Sequence, residues 1–141
     1  MRVLALDIGE VRVGIAVSDA SETLAMPVKV LPFQEVYAHA RTFRRVLEDY
    51  EPDLLVCGLP RTLAGDVGAQ AQKLMDQAQT IARACNLDVT FVDERLSSAQ
   101  AKRILREQGY SEKQMRGHID MIAASLFLQA WLDERRGRSC H

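Results

Sequence analysis

Val3-Leu4-Ala5-Leu6-Asp7-Ile8-Gly9 is a nearly unbroken apolar run that closes on one carboxylate and one glycine. A strand covered on both faces has such a run, and an unpaired charge buried at its end costs on the order of several kcal/mol. Asp7 therefore calls for a cation or strong hydrogen-bond donors, although Asp and Gly also begin ordinary turns. Arg12-Val13-Gly14-Ile15-Ala16-Val17-Ser18 follows closely enough to fold back on the first strand as a hairpin, and Gly9 leaves room for another group to approach the backbone.

Outward from this hairpin, Asp19-Ala20-Ser21-Glu22 is a polar turn and Met26-Pro27-Val28-Lys29-Val30-Leu31 a third strand, ended by Pro32. The period then changes. Val36, Ala40, Phe43, Leu47 and Tyr50 recur at helical steps, with Arg41, Arg44, Arg45 and Glu48 on the opposite face, which predicts one amphipathic helix over 36–50. Asp53-Leu54-Leu55-Val56-Cys57-Gly58 reads as a buried strand, and Gly58 to Gly65 as a loop whose successor Asp66 caps a long helix striped by Val67, Ala71, Leu74, Ala78, Ile81 and Cys85. Val89-Thr90-Phe91-Val92 is a short strand leading into Asp93-Glu94-Arg95. A helix with a capping-box pattern at Ser97 and Gln100 then runs to Gly109. After a polar turn over 111–117, the last helix places Ile119, Ile122, Ala123, Leu126 and Ala130 on one face, and 135–141 reads as a flexible tail.

Three linked strands followed by alternating helices and strands predict an α/β domain over 1–141. Its five-stranded mixed sheet has three antiparallel strands and then two parallel ones, with helices on both faces. Its 141 residues suit one domain with one core, and no apolar run approaches the roughly 20 residues that span a bilayer. Met1-Arg2 enters a strand without a secretory pattern, so a cytoplasmic location is expected. Cys57, Cys85 and Cys140 form no Cys-x-x-Cys pair, which argues against a zinc site or disulfide framework. A formal charge of -1 means that any nucleic-acid binding must use a local basic patch.

Ligands in such sheets gather beyond the carboxyl ends of the strands. Asp7, Asp93-Glu94 and, from the first turn of the last helix, Asp120 all fall there. Carboxylates crowded together repel one another unless a divalent cation holds them ionised, and hard oxygen ligands suit Mg²⁺ or Mn²⁺. Two such ions about 4 Å apart serve in-line phosphodiester hydrolysis, so the constellation predicts a nuclease. Each acid alone also has a plain structural reading: Asp120, for instance, sits where a helix dipole favours any carboxylate. Adjacent strand residues point to opposite faces, so only one of Asp93 and Glu94 enters the site, and chemistry alone does not choose.

Leu6-Asp7-Ile8-Gly9 with Arg12-Val13-Gly14, Gly58-Leu59-Pro60 with Gly65, Asp93-Glu94-Arg95-Leu96-Ser97-Ser98, and Ile119-Asp120 with Ala123-Ala124 together resemble the Holliday-junction-resolvase-like family of bacterial pre-16S rRNA nucleases. The resemblance covers nearly the whole chain. It implies a ribonuclease H-like fold, divalent-metal nuclease chemistry and trimming of the 5′ end of the small-subunit rRNA precursor. It also implies Asp7, Glu94 and Asp120 as the catalytic, metal-holding acids, choosing Glu94 over Asp93. This chain departs from the family pattern at Glu10 and Val11, where a small residue and a Lys are usual. It departs again at Ser111-Glu112-Lys113-Gln114-Met115-Arg116, which is poorer in Lys than is common.

Arg12, Arg61 and Arg95 are the candidate substrate-binding residues, and Lys102, Arg103 and Arg106 either grip phosphate or form a solvated helix face. His118, two residues before Asp120, is a weaker candidate for moving a proton. Expected partners are nucleic acid, pre-16S rRNA foremost and branched DNA second, together with a ribosome precursor. The chain would act as a monomer or a homodimer. The rival readings are a Holliday junction resolvase, which two-fold junction symmetry would favour as a dimer, and a non-catalytic RNA- or ribosome-binding module. An actin-like ATPase shares the Asp-x-Gly hairpin but needs two lobes, each as large as a domain, for which the chain is too short.

Overall fold

The computed structural model describes residues 1–59, 68–93 and 97–139. The expected hairpin is β1 (Val3–Ile8) against β2 (Arg12–Ser18), antiparallel, with Asp7 opposite Gly14. The backbone N–H of Gly9 donates to the Arg12 carbonyl at 2.8 Å, so Glu10 and Val11 alone form the tip. β3 (Ala25–Pro32) lies antiparallel along β2. On the other side of β1, β4 (Leu54–Leu59) and then β5 (Asp88–Asp93) add in parallel, giving the order β3-β2-β1-β4-β5. This is the mixed sheet anticipated above. β3 is an edge strand. Its register shifts where Ile15 faces Lys29 and Ala16 faces Pro27, leaving Val28 as the extra residue of a bulge.

Alternation along the strands divides the core. Leu4, Leu6 and Ile8 of β1, with Leu55, Cys57 and Leu59 of β4, pack under α1 (Phe33–Tyr37), α2 (Arg41–Tyr50) and α3 (Ala69–Cys85). Val3, Ala5 and Val56 face the other way, under α6 (Ile119–Ser139), against which α4 (Ser97–Glu107) packs in turn. Helices therefore cover both faces. Asp7 shares the face of Val3 and Ala5, the one that α6 covers.

The helix expected over 36–50 is two helices. α1 ends in a Schellman motif: Ala40 N–H donates to the Glu35 carbonyl, His39 N–H to that of Val36, and His39 takes φ +56°. Val36, Phe43 and Val46 keep helical spacing across the break, so periodicity did not reveal it. The same device closes α3 at Asn86 and α4 at Gly109. The segment 111–117, expected as a turn, holds a one-turn helix, α5 (Glu112–Met115), with a complete capping box between Ser111 and Gln114.

α6 buries Ala123, Ala124, Phe127, Leu128 and Leu132, while Ala130 is exposed and Leu126 only half-buried. The buried stripe is thus rotated from the expected one. α6 is apolar around most of its circumference because the sheet covers one side and α4 another, so periodicity defines its face poorly. It continues helical through 135–139, read above as tail. α3 begins at Ala69; Asp66, its expected cap, lies outside the described residues. Cys57 is buried and Cys85 half-buried, as expected of small core residues, and burial pushes the Cys85 thiol up to about 11.

Ser18, nearly inaccessible at the end of β2, joins strand to turn: its Oγ accepts from the Val3 N–H at 2.8 Å and donates to the Asp19 carbonyl at 3.0 Å. Ser18→Ala strands the Val3 donor inside the protein, and equilibrium denaturation is expected to register a loss of about 1–3 kcal/mol.

Candidate active site

Glycine decides the geometry of this site. A Cβ on Gly14 would come within 2.1 Å of the carbonyl carbon and oxygen of Asp120 and 2.5 Å of the Met121 nitrogen. No side chain fits there, so the first turn of α6 rests directly on the β2 backbone. Gly14 is also the antiparallel partner of Asp7, and partners present their Cβ positions on the same face about 4.5–5.5 Å apart. Asp7 and Asp120, 113 positions apart in the chain, are thereby brought together where the carboxyl end of β1 meets the amino end of α6.

Asp7 is buried, with 9% of its surface exposed. Asp120 is half-buried, and burial raises its carboxyl above the ordinary range. Arg12, first residue of β2, opposes that shift: its Nε lies 3.6 Å from Asp120 Oδ2. At this distance, with the Arg12 side chain about half exposed, the pair is a weak tether that leaves guanidinium donors facing solvent. The sequence assigned Arg12 to substrate; the structure also makes it the counter-charge of Asp120.

Asp93 ends β5. Val89 and Phe91 pack on the α1–α3 side and Val92 on the α6 side, so alternation gives Asp93 to the face away from Asp7. Glu94, Arg61 and Arg95 lie outside the described residues, and among the described residues no three His, Cys, Asp or Glu form a metal-binding group. The carboxylates that Asp7 and Asp120 carry at neighbouring backbone positions nonetheless fit a hard divalent cation by their donor chemistry, since all their ligand atoms are oxygens. The His118 Nδ1 lies 3.1 Å from the Gln114 carbonyl, and its ring packs edge-on against Tyr110. Arg106 pairs with Glu112 at 3.6 Å, whereas Lys102 and Arg103 are exposed on α4. Sequence reasoning gave Gly14 no role of its own. A glycine inside a buried strand, flanked by Val13 and Ile15, is nevertheless a recognised sign of close backbone approach.

Solved structures share this architecture. "T. thermophilus RuvC in complex with Holliday junction substrate" superposes with a TM-score of 0.56 at 16% identity, over 97% of this chain and 96% of that one. The fowlpox virus Holliday junction resolvase gives 0.54 at 16% identity, over 95% and 99%. At such identity the likeness is one of fold, and the fold is ribonuclease H-like. A family model described as "RuvX: Holliday junction resolvase" matches residues 1–134, and the chain belongs to that family. A Mycobacterium ulcerans (strain Agy99) protein bearing the name "Putative pre-16S rRNA nuclease" is 40% identical over 136 residues, spanning 96% of this chain and 80% of its own length. One of the same name from Anaeromyxobacter sp. (strain Fw109-5) is 38% identical over 135 residues, spanning 96% and 98%.

Gly14→Ala is expected to push the first turn of α6 off β2, with a loss of about 1–3 kcal/mol from overpacking and collapse of any activity that needs both carboxylates. Denaturation and a cleavage assay on the variant check both. Because folding raises the carboxyl pKa of Asp120, its contribution is most favourable below the ordinary value of 3.8 and is lost as pH rises through the folded value. Asp120→Asn in chelator should therefore resist denaturant better than the parent at pH 7, and the difference should vanish in acid below about pH 4.

Proposed function

We propose that this member of a nuclease family hydrolyses phosphodiester bonds with divalent metal, and that its substrate is the 5′ region of pre-16S rRNA in ribosome assembly. The observation that carries the reading is the seat of α6 on Gly14, which sets Asp120 beside Asp7 at the carboxyl edge of the sheet. The names of the curated relatives support the choice of rRNA. Among the described residues no helix is long and apolar enough to cross a membrane, which accords with work on an assembling ribosome in the cytoplasm.

Asp7 and Asp120 would hold Mg²⁺ or Mn²⁺ together with one further acid. The strand alternation that assigns Asp93 to the other face supports Glu94 as that acid. When bound, the metal, as one ion or two, supplies a water activated for attack and charge neutralisation at the leaving oxygen. The protein's own residues do the rest. Burial of Asp7 and Asp120 keeps the carboxylates poorly hydrated and ready to bind a cation. Arg12 limits their mutual repulsion and offers its solvent-facing donors to a phosphate, and Arg61 and Arg95 extend that grip along the backbone.

The second reading, a resolvase of four-way DNA junctions, is favoured by the description of the family model. Such an enzyme acts on a two-fold symmetric substrate and is expected to dimerise, whereas trimming of a precursor suits a monomer.

The test is Mn²⁺- or Mg²⁺-dependent cleavage of a 5′-extended 16S precursor fragment, single-stranded RNA and a four-way DNA junction. The precursor should be cut best, and Asp7→Asn and Asp120→Asn should each slow the reaction by about 10²-fold or more, the scale of losing a group that stabilises transition-state charge. Junction cleavage by a dimer would move the assignment to the resolvase reading. Binding without any metal-dependent cleavage would leave a non-catalytic RNA-binding module. Arg95→Ala should weaken RNA binding and flatten its salt dependence.

A further inference from the structure

On the opposite face of the sheet from Asp7, residues of α1 and α3 line a groove. One part, about 440 Å³, is floored by Ile8, Phe33 and Leu74; the other, about 480 Å³, runs on past Tyr37, and Lys73 and Gln77 line both. Successive strand residues face opposite sides, so the floor of the groove at Ile8 begins one residue beyond Asp7. Gly9 and Glu10, which follow β1 directly, also line the groove.

The lining is specific in kind. Gln34, Gln70 and Gln77 present amides along the walls, each able to donate and accept. Phe33 and Tyr37 stack on each other, with centroids 5.3 Å apart, and form an aromatic ledge. Among the described residues Lys73 is the one cation lining the groove, and Glu10 and Asp76 place acid at the rim. A track for a phosphate backbone would be basic throughout. An apolar, aromatic floor with amide walls and an acidic rim instead suits the flat face and polar edge of a nucleobase, with its phosphate held outside.

We propose that this groove receives an unpaired nucleobase of the strand cut at Asp7, so that the enzyme selects single-stranded over duplex RNA. The inference rests on the hydrolase reading. Gln70 and Gln77 read the base edge, Lys73 meets an acceptor on the base, and Glu10 turns the backbone outward over the Gly9 turn.

The experiment measures binding of a fluorescein-labelled 12-nucleotide single-stranded RNA and of a blunt RNA duplex, with Ca²⁺ replacing Mg²⁺, alongside steady-state cleavage of the single strand in Mg²⁺. Gln70→Ala/Gln77→Ala should weaken single-strand binding roughly tenfold, the scale of two lost hydrogen bonds, and raise KM with kcat little changed. Duplex binding should stay as it is. Gln77→Trp, at a half-buried position where the added ring fills the groove, should act alike; a melting curve matching the parent's verifies that either variant is folded. Unchanged single-strand affinity in both folded variants, or an equal loss for the duplex, overturns the groove and leaves the hydrolase standing. Loss of single-strand binding in a protein that cleaves no RNA or DNA keeps the groove and removes the hydrolase.

Discussion

The contact between the amino end of α6 and the backbone of β2 governs the architecture. It exists only because Gly14 has no side chain, and its surroundings are built to match: Ala5 and Ala16 on the sheet face Ala124 on the helix. Further along α6 the buried side chains grow to Phe127, Leu128 and Leu132. Gln129 fixes the far part of the same helix. Its amide accepts from the Ala25 N–H and donates to the Thr23 carbonyl, tying α6 to the start of β3. One helix thus bridges the candidate site and the opposite end of the sheet.

Electrostatics at the site run against stability. Asp7 is buried and Asp120 partly so, Arg12 holds Asp120 only loosely, and burial disfavours the ionised form of Asp120. Such an arrangement is costly for an empty fold and useful for binding a cation, which is how strained sites commonly stand out from the regular structure around them.

Much of this was legible in the sequence because it depends on local rules. The apolar run ending at Asp7, the strand-to-helix change near Pro32 and the stripe of α3 each follow from period and breakers, and they lead to a mixed sheet of three antiparallel and two parallel strands, though not to its spatial order. The misses have physical causes. His39 is a non-glycine residue in a left-handed conformation, and helical spacing continues through it, so nothing marked the break between α1 and α2. Ser111 and Gln114 form a capping box, but the segment they open, Glu112–Met115, holds one apolar residue, too few to show a helical period. The α6 face was ambiguous because two elements cover it. For the candidate site, the sequence led to the expectation that acids gather at one edge of the sheet, but not to the contact that seats Asp120 near Asp7. That depends on Gly14, whose significance lies in a contact over 100 positions away in the chain.

The bulge at Val28 and the prolines at 27 and 32 bear on how copies of the molecule can associate. An open sheet invites strand addition at its margins, but on the β3 side the ladder is kinked, two positions lack a donor, and Lys29 brings a charge. A second copy cannot extend the sheet through that margin in regular register. β3 thus guards its own margin of the sheet against fibrillar strand stacking.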